Sequence, residues 1–146
     1  MKKIMIVLAS LFAFTFTAKA SDDKPITFDQ LPQTAQQFVN KYFGDRTISL
    51  VKSEKDWAGN SYEVLFSNGD NLEFDKNGVW TSIECKATAV PDAVVPKQIV
   101  DYVNNNCKDA TIRKLDKERR GAYEVELSNG LDLKFNSSFE LVEIDD

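Results

Sequence analysis

Apolar residues recur along this chain with two different periods, and the longer period predicts two helices. In the first helical segment the apolar residues recur every three or four positions, which places them on one face of a helix. They are Leu31, Ala35, Phe38, Val39, Tyr42 and Phe43. The second segment begins at Pro96, and Ile99, Val103 and Cys107 line one side of it. Proline favours the first turn of a helix, where its missing N–H costs nothing.

The shorter period, strict alternation, predicts four antiparallel strands after each helix. The predicted strands span 47–55, 61–67, 70–75 and 79–86 in the first half, and 111–118, 122–128, 131–136 and 139–144 in the second. Asn-Gly pairs lie at 68–69 and 129–130. They predict tight type I′ turns, because both central positions of that turn favour positive φ.

The chain also contains an internal repeat. Residues 62–69 read YEVLFSNG and residues 123–130 read YEVELSNG, and the likeness extends into both helices. A single copy of about 60 residues buries too little surface to be comfortably stable alone. The predicted fold is therefore α+β, with two tandem repeats of one helix plus a four-stranded antiparallel meander. Both helices are expected on one face of a continuous curved sheet, with the repeats at 21–88 and 89–146.

Residues 1–20 have the pattern of a signal peptide. Lys2 and Lys3 precede an apolar stretch, and Ala18-Lys19-Ala20 provides the small residues that signal peptidase requires. The apolar stretch is too short for a spanning helix, which needs about 20 residues. We expect cleavage after Ala20 and a periplasmic or secreted product, with no membrane insertion after cleavage.

Charge and composition exclude several classes of function. Removal of residues 1–20 takes away three lysines and no acid, which leaves 15 basic and 23 acidic side chains and a formal charge of −8. This charge disfavours nucleic acid and anionic membranes as partners. The chain has no histidine, and it therefore lacks the commonest general base and the commonest zinc ligand. We expect no enzyme, no metal and no cofactor.

The repeated unit resembles the PepSY-like periplasmic proteins. The resemblance rests on Leu31-Pro32 at the helix start, on Tyr62-Glu63-Val64 and on the two Ser-Asn-Gly turns, and it covers essentially all of the chain after residue 20. The fold of that family is similar to beta-lactamase inhibitory protein, in which two repeats form one curved sheet with a concave binding face. The resemblance implies a non-enzymatic binding or inhibitory role. It carries over no target-binding residue.

Strand alternation assigns a polar, acidic set of side chains to the sheet face away from the helices. The candidate binding residues on this face are Glu63, Leu65, Glu73, Glu124, Glu126 and Lys134. Trp57, at a polar hairpin tip, joins them because tryptophan is enriched at binding hot spots. The alternative is a face that is only solvated, with a tryptophan that folds back onto its own domain. The equivalent tip in the second half, 117–121, is basic.

Cys85 and Cys107 can form a disulfide in an oxidising compartment, and closing that loop would contribute about 3 kcal/mol. The alternative is a pair of free thiols, because Cys107 aligns with the core residue Phe43. Asp70, Asp75 and Asn77 lie near turns but do not fit the spacing of a calcium-binding EF-hand.

Three functions follow from these patterns. The leading hypothesis is a binding or inhibitory module for a protein or peptide of the cell envelope. The second is a peptidase inhibitor, by analogy with PepSY units in protease propeptides. The third, a carboxylate-based hydrolase, would require a pocket that raises the pKa of one acid. The oligomeric state stays open.

Overall fold

The computed structural model describes residues 22–146, which form one nine-stranded antiparallel sheet and two helices. The strands are β1 (Lys24–Ile26), β2 (Ile48–Asp56), β3 (Gly59–Phe66), β4 (Asn71–Phe74), β5 (Trp80–Glu84), β6 (Ile112–Lys117), β7 (Tyr123–Leu127), β8 (Asp132–Phe135) and β9 (Leu141–Asp145). The helices are α1 (Gln33–Phe43) and α2 (Lys97–Asn106). Within residues 22–146 neither helix is long and apolar enough to cross a membrane. The predicted signal peptide and its cleavage site lie outside the described residues.

The order of the strands in the sheet is their order in the chain, with β1 and β9 at the two edges. α1 precedes β2 to β5 and α2 precedes β6 to β9, and β5 pairs directly with β6. The predicted α+β class and the continuous sheet are therefore confirmed. β1 was not predicted, because a three-residue segment with a central proline, Pro25, carries no alternating pattern.

The core lies between the helices and one face of the sheet. One row of cross-strand partners crosses all nine strands and is aliphatic throughout. It runs Ile26, Val51, Val64, Leu72, Ile83, Leu115, Val125, Leu133 and Ile144. Phe43 of α1 stacks on Phe66, with ring centroids 5.7 Å apart, and Tyr102 of α2 meets Phe135 edge-on at 5.5 Å. Both helices therefore cover the same face.

The hairpin turns differ from the predicted type I′ geometry. Gly69 and Gly130 have φ of 92° and 88°, but Asn68 and Asn129 do not have positive φ. The amide of Phe66 donates to the carbonyl of Asp70, and the amide of Gly69 donates to the carbonyl of Phe66. These bonds define a three-residue loop that ends in a left-handed residue, a common alternative to the two-residue turn. The type I′ prediction was therefore wrong.

A buried ion pair joins three parts of the first half. Asp70, fully buried after the β3–β4 turn, accepts a hydrogen bond from the amide of Lys86 at 2.9 Å. The Nε of Arg46, just after α1, lies 3.1 Å from Oδ2 of Asp70. The guanidinium also lies over the ring of Phe43, 4.4 Å from its centroid. The pair thus ties the end of α1 and the β3–β4 turn to the segment that follows β5.

Candidate functional site

The sheet face opposite the helices carries a dense set of charged side chains. Alternation along the strands places two polar rows there, on either side of the aliphatic row. The carboxylates are Glu54, Glu63, Glu73, Glu84, Asp116, Glu124, Glu126, Asp132, Glu143 and Asp145, and the ammonium groups are Lys52, Lys114 and Lys134. Within residues 22–146 neither helix covers this face. We call it the open face.

Several carboxylates on the open face lie directly opposite one another on neighbouring strands. The like-charged partners are Glu63 and Glu73, Asp116 and Glu124, Glu126 and Asp132, and Asp132 and Asp145. Like charges at directly opposed positions destabilise a sheet. The four pairs therefore concentrate negative charge on this face at a cost to the stability of the sheet.

The pKa shifts record this negative field. Burial raises the pKa of Glu73, and the neighbouring carboxylates of Glu63 and Asp116 raise it further. Burial also raises the pKa of Glu124, against the opposing effect of Lys134. Burial acts to lower the pKa of Lys114, yet the surrounding carboxylates outweigh it and the pKa is raised. Around Glu73, Glu124 and Lys114, the open face thus favours positive charge and disfavours negative charge.

The three lysines neutralise only part of the face, because ten carboxylates lie on it. The Nζ of Lys52 lies 2.8 Å from Glu63, whose other oxygen accepts a hydrogen bond from the Asn71 amide at 2.8 Å. The Nζ of Lys134 lies 3.0 Å from Glu143 on β9. Beside Lys52 and Glu63, the face forms a cavity of about 110 Å³.

Trp57 lies at the tip of the β2–β3 hairpin and is 92% exposed. The tip is held by Asp56, whose carboxylate accepts a hydrogen bond from the amide of Ala58 at 2.8 Å. β2 and β3 pair as far as Asp56 and Gly59, whereas β4 pairs with β3 only as far as Tyr62. The hairpin therefore extends past its neighbour and presents an indole that does not fold back.

The basic tip of the second half lies at the same end of the sheet as Trp57. Arg119 and Arg120 are exposed there, and Arg120 has a left-handed φ of 61°. The two tips follow β2 and β6, the first strand after the helix in each half. Successive turns of an up-and-down sheet alternate between its two ends, so these two tips share one end. One end of the molecule therefore carries an indole and two guanidinium groups.

The predicted site residues divide into two places. Glu63, Leu65, Glu73, Glu124, Glu126 and Lys134 all lie on strands at open-face positions. Trp57 lies at the hairpin end rather than on the face itself. Sequence reasoning did not select the charged residues of β5, β6 and β9, namely Glu84, Lys114, Asp116, Glu143 and Asp145. The alternation of 112–117 carried the signal for two of them.

The two cysteines are free thiols in this structure, and their disulfide stays a prediction. Cys85 is buried in the core, and burial raises its thiol pKa to about 11. Cys107 is the residue that ends α2, and its half-buried side chain packs against the core, as expected. Its amide donates to the carbonyl of Val103 at 2.8 Å.

Other candidate chemistry has structural explanations. Asp70 is paired with Arg46, and a carboxylate oxygen of Asp75 accepts hydrogen bonds from the amides of Asn77 and Val79. Among residues 22–146, no three acidic or cysteine side chains are grouped as metal ligands.

Comparison with known proteins identifies the family. Residues 60–143 match the family model described as "Putative beta-lactamase-inhibitor-like, PepSY-like". The chain belongs to this PepSY-like family. No curated protein matches it.

Three solved structures share the fold. A "putative periplasmic protein" of the DUF2874 family from Bacteroides vulgatus is 50% identical, with a TM-score of 0.83 over 87% of this chain and 99% of that one. A "putative calcium-regulated periplasmic protein" from Bacteroides thetaiotaomicron is 46% identical, with the same TM-score and coverage. A "putative periplasmic protein of unknown function" from Bacteroides vulgatus is 31% identical, with a TM-score of 0.78 over 85% of this chain and 99% of that one.

Proposed function

We propose that this protein is a non-enzymatic binding module of the periplasm. It presents the open face and the Trp57 tip to a basic protein or peptide of the cell envelope. The observation that carries the proposal is the set of four opposed carboxylate pairs on a face that neither helix covers. The periplasmic descriptions of the structural neighbours and the signal-like pattern of residues 1–20 support the location.

The argument from the carboxylates is energetic. Each opposed pair destabilises the free protein, and replacing one acid by a neutral residue would relieve it. A cationic partner reverses the sign of the same interactions, because the face already holds more negative charge than its three lysines neutralise. Charge complementarity of this kind accelerates association and selects against acidic partners.

The test compares binding of arrayed peptides of different net charge to the purified protein and to Glu73→Gln/Glu124→Gln/Glu126→Gln. We expect basic peptides to be retained by the wild type, released by salt, and bound at least tenfold more weakly by the triple variant. The control, Asp45→Asn/Asp92→Asn/Asp109→Asn, removes the same charge away from the sheet. Equal binding by the triple variant and this control would show that the open face is not the site.

Trp57→Ala tests the hairpin tip separately. The indole is almost fully exposed, so its removal leaves the free energy of unfolding within about 0.5 kcal/mol. We expect the variant to capture envelope proteins more weakly than the wild type, at an unchanged thermal transition. Equal recovery by the wild type and the variant would exclude Trp57 from the binding site.

Inhibition of an envelope enzyme is the second candidate function, and the family description "beta-lactamase-inhibitor-like" favours it. Hydrolysis of a chromogenic cephalosporin by a panel of periplasmic beta-lactamases, with and without the protein, tests it directly. Cleavage of a peptide substrate by envelope peptidases tests the PepSY analogy in the same way. Unchanged rates of hydrolysis in both assays would rule out inhibition of these enzymes and leave the binding module as the proposed function.

We also propose that the two halves are copies of one unit. Matching strand registers support this: Tyr62 pairs with Phe74 as Tyr123 pairs with Phe135. The hairpin tips then diverged, one toward an indole and the other toward two guanidinium groups. Such divergence suits two unlike contacts with one partner.

A further inference from the structure

The two edges of the sheet are built differently. β1 is three residues long and contains Pro25, which has no N–H to donate. Short length and proline are common ways in which natural edge strands avoid pairing with other chains. β9 has five residues, Leu141–Asp145, without proline or glycine, and within residues 22–146 it pairs with β8 alone.

The outer side of β9 therefore offers backbone groups to a further strand. In an antiparallel pair, alternate residues direct their N–H and C=O groups away from the partner strand. Two of the large apolar residues exposed in the structure also lie on β9: Val142 is 62% exposed and Ile144 is 53% exposed. Ile144 ends the aliphatic row that is buried under the helices on the inner strands. An added strand could extend this row by one apolar side chain.

The other face of β9 is acidic. Glu143 lies opposite Lys134 and Asp145 lies opposite Asp132, both on the open face. A hydrogen bond with Glu143 raises the pKa of Asp145, so the two carboxyl groups are close enough to compete for a proton. A lysine or arginine on an adjacent strand would lie next to both groups and relieve this repulsion.

The same two acids disfavour a second copy of this chain as the added strand. An antiparallel pairing of β9 with β9 brings Glu143 and Asp145 of both copies to one face. Four carboxylates would then lie on two adjacent strands, and like charges across a strand pair are destabilising.

We propose that β9 is a docking edge that accepts an extended segment of a basic protein as a tenth strand. The side chains of that segment alternate, with an apolar one beside Ile144 and a lysine or arginine beside Glu143 and Asp145. Backbone hydrogen bonds supply the attachment, and the alternate side chains supply selectivity. This inference takes the basic character of the partner from the proposed function. It adds that the partner binds at the β9 edge of the sheet.

The probe is a blocked heptapeptide of alternating lysine and valine. Its control has the same sequence with alternate backbone nitrogens methylated, which keeps the charge and removes hydrogen-bond donors. We expect the control to bind at least tenfold more weakly. We also expect the unmodified peptide to slow amide hydrogen exchange of residues 141–145 at least fivefold.

A charge reversal tests the acidic side of the edge. Glu143→Lys/Asp145→Lys is expected to weaken binding of the unmodified peptide at least tenfold. Asp45→Lys/Asp92→Lys, which changes the net charge equally but away from the sheet, is the matched control. Circular dichroism checks the fold of both variants, because Lys134 loses its partner when Glu143 is reversed.

The outcomes separate the edge from the open face. Equal binding of both peptides, or slowed exchange confined to β3 and β4, would overturn the edge and leave the proposed function standing. Absence of binding by the unmodified peptide would also overturn the edge. A dimer in sedimentation analysis, with 141–145 protected before peptide is added, would make a second copy the occupant and refute the proposal. Failure of the proposed function would give a different result. In the arrayed-peptide assay, Glu73→Gln/Glu124→Gln/Glu126→Gln would then bind basic peptides as tightly as its control variant does.

Discussion

The ion pair between Arg46 and Asp70 provides a quantitative test of how this fold is held together, because the second half of the chain lacks it. Ala110 occupies the position equivalent to Arg46, and Leu131 occupies the position equivalent to Asp70. The backbone bonds match: the amide of Arg46 donates to Phe43, and the amide of Ala110 donates to Cys107. The chain therefore contains both a charged and an uncharged version of the same structural junction.

The magnitude follows from burial and distance. Asp70 is fully buried, the Arg46 side chain is 14% exposed, and the charged atoms are 3.1 Å apart. At an effective dielectric constant of about 20, the attraction is about 5 kcal/mol before desolvation is subtracted. Breaking such a pair by removing one partner costs about 3–5 kcal/mol, because the remaining charge stays buried. Arg46→Ala should lower the free energy of unfolding by this amount.

The double variant Arg46→Ala/Asp70→Leu recreates the junction of the second half. It removes the Asp70 carboxylate, which Arg46→Ala leaves buried without its partner, although the amide of Lys86 loses its acceptor. We expect the double variant to be more stable than Arg46→Ala and the two single effects to be strongly non-additive. Urea unfolding followed by circular dichroism, with equal m-values, measures all four proteins. A loss below about 1 kcal/mol for Arg46→Ala, or simple additivity, would refute the reasoning.

Three further predictions concern single sites. Gly78→Ala should cost at least about 1 kcal/mol more than Gly130→Ala in urea unfolding. Both glycines have positive φ, but a Cβ at Gly78 would lie 2.8 Å from Pro32, whereas a Cβ at Gly130 would have nothing within 4 Å. Equal losses of unfolding free energy in the two variants would contradict this difference in packing. Cys107→Ser leaves Cys85 as the one thiol, which is buried and has a pKa of about 11. This thiol should resist Ellman's reagent at pH 8 until urea unfolds the protein. Prompt reaction of the folded protein would contradict the burial of Cys85. Glu73→Gln should stabilise the protein at pH 7 by less than about 1 kcal/mol. The pKa of Glu73 is raised, so the native state binds this proton more tightly than the unfolded chain does. The contribution of Glu73 to the free energy of unfolding therefore falls as pH rises through the acid range. The gain in Glu73→Gln should disappear near pH 4, and a gain at both pH values would contradict this sign.

The open face links this stability argument to function. Neighbouring carboxylates raise the pKa of Glu73, and like charges oppose one another across the strands, while the buried side of the same strands is apolar. The core thus supplies the stability that the acidic face reduces. A variant that neutralises this face should gain stability and lose binding, and the two effects can be measured on one protein.

The candidate site was only partly readable from the sequence. Alternation placed Glu63, Glu73, Glu124 and Glu126 on one face because side-chain direction in a strand is a local property. Trp57 was ambiguous, because a loop side chain can fold back or project, and local sequence does not distinguish these conformations. The cysteines were ambiguous for a related reason: whether two thiols meet depends on the packing of α2 against the sheet.

Periodicity along a few residues was enough to predict the two helices, the strands after each of them and the side of each strand that is buried. The three-dimensional structure was needed to show that β5 pairs with β6, that β9 lies at an edge of the sheet, and that Arg46 contacts Asp70. Those contacts join residues that lie far apart in the chain. Hydrophobic periodicity records which face of an element is buried, and it holds no information on which element lies beside it.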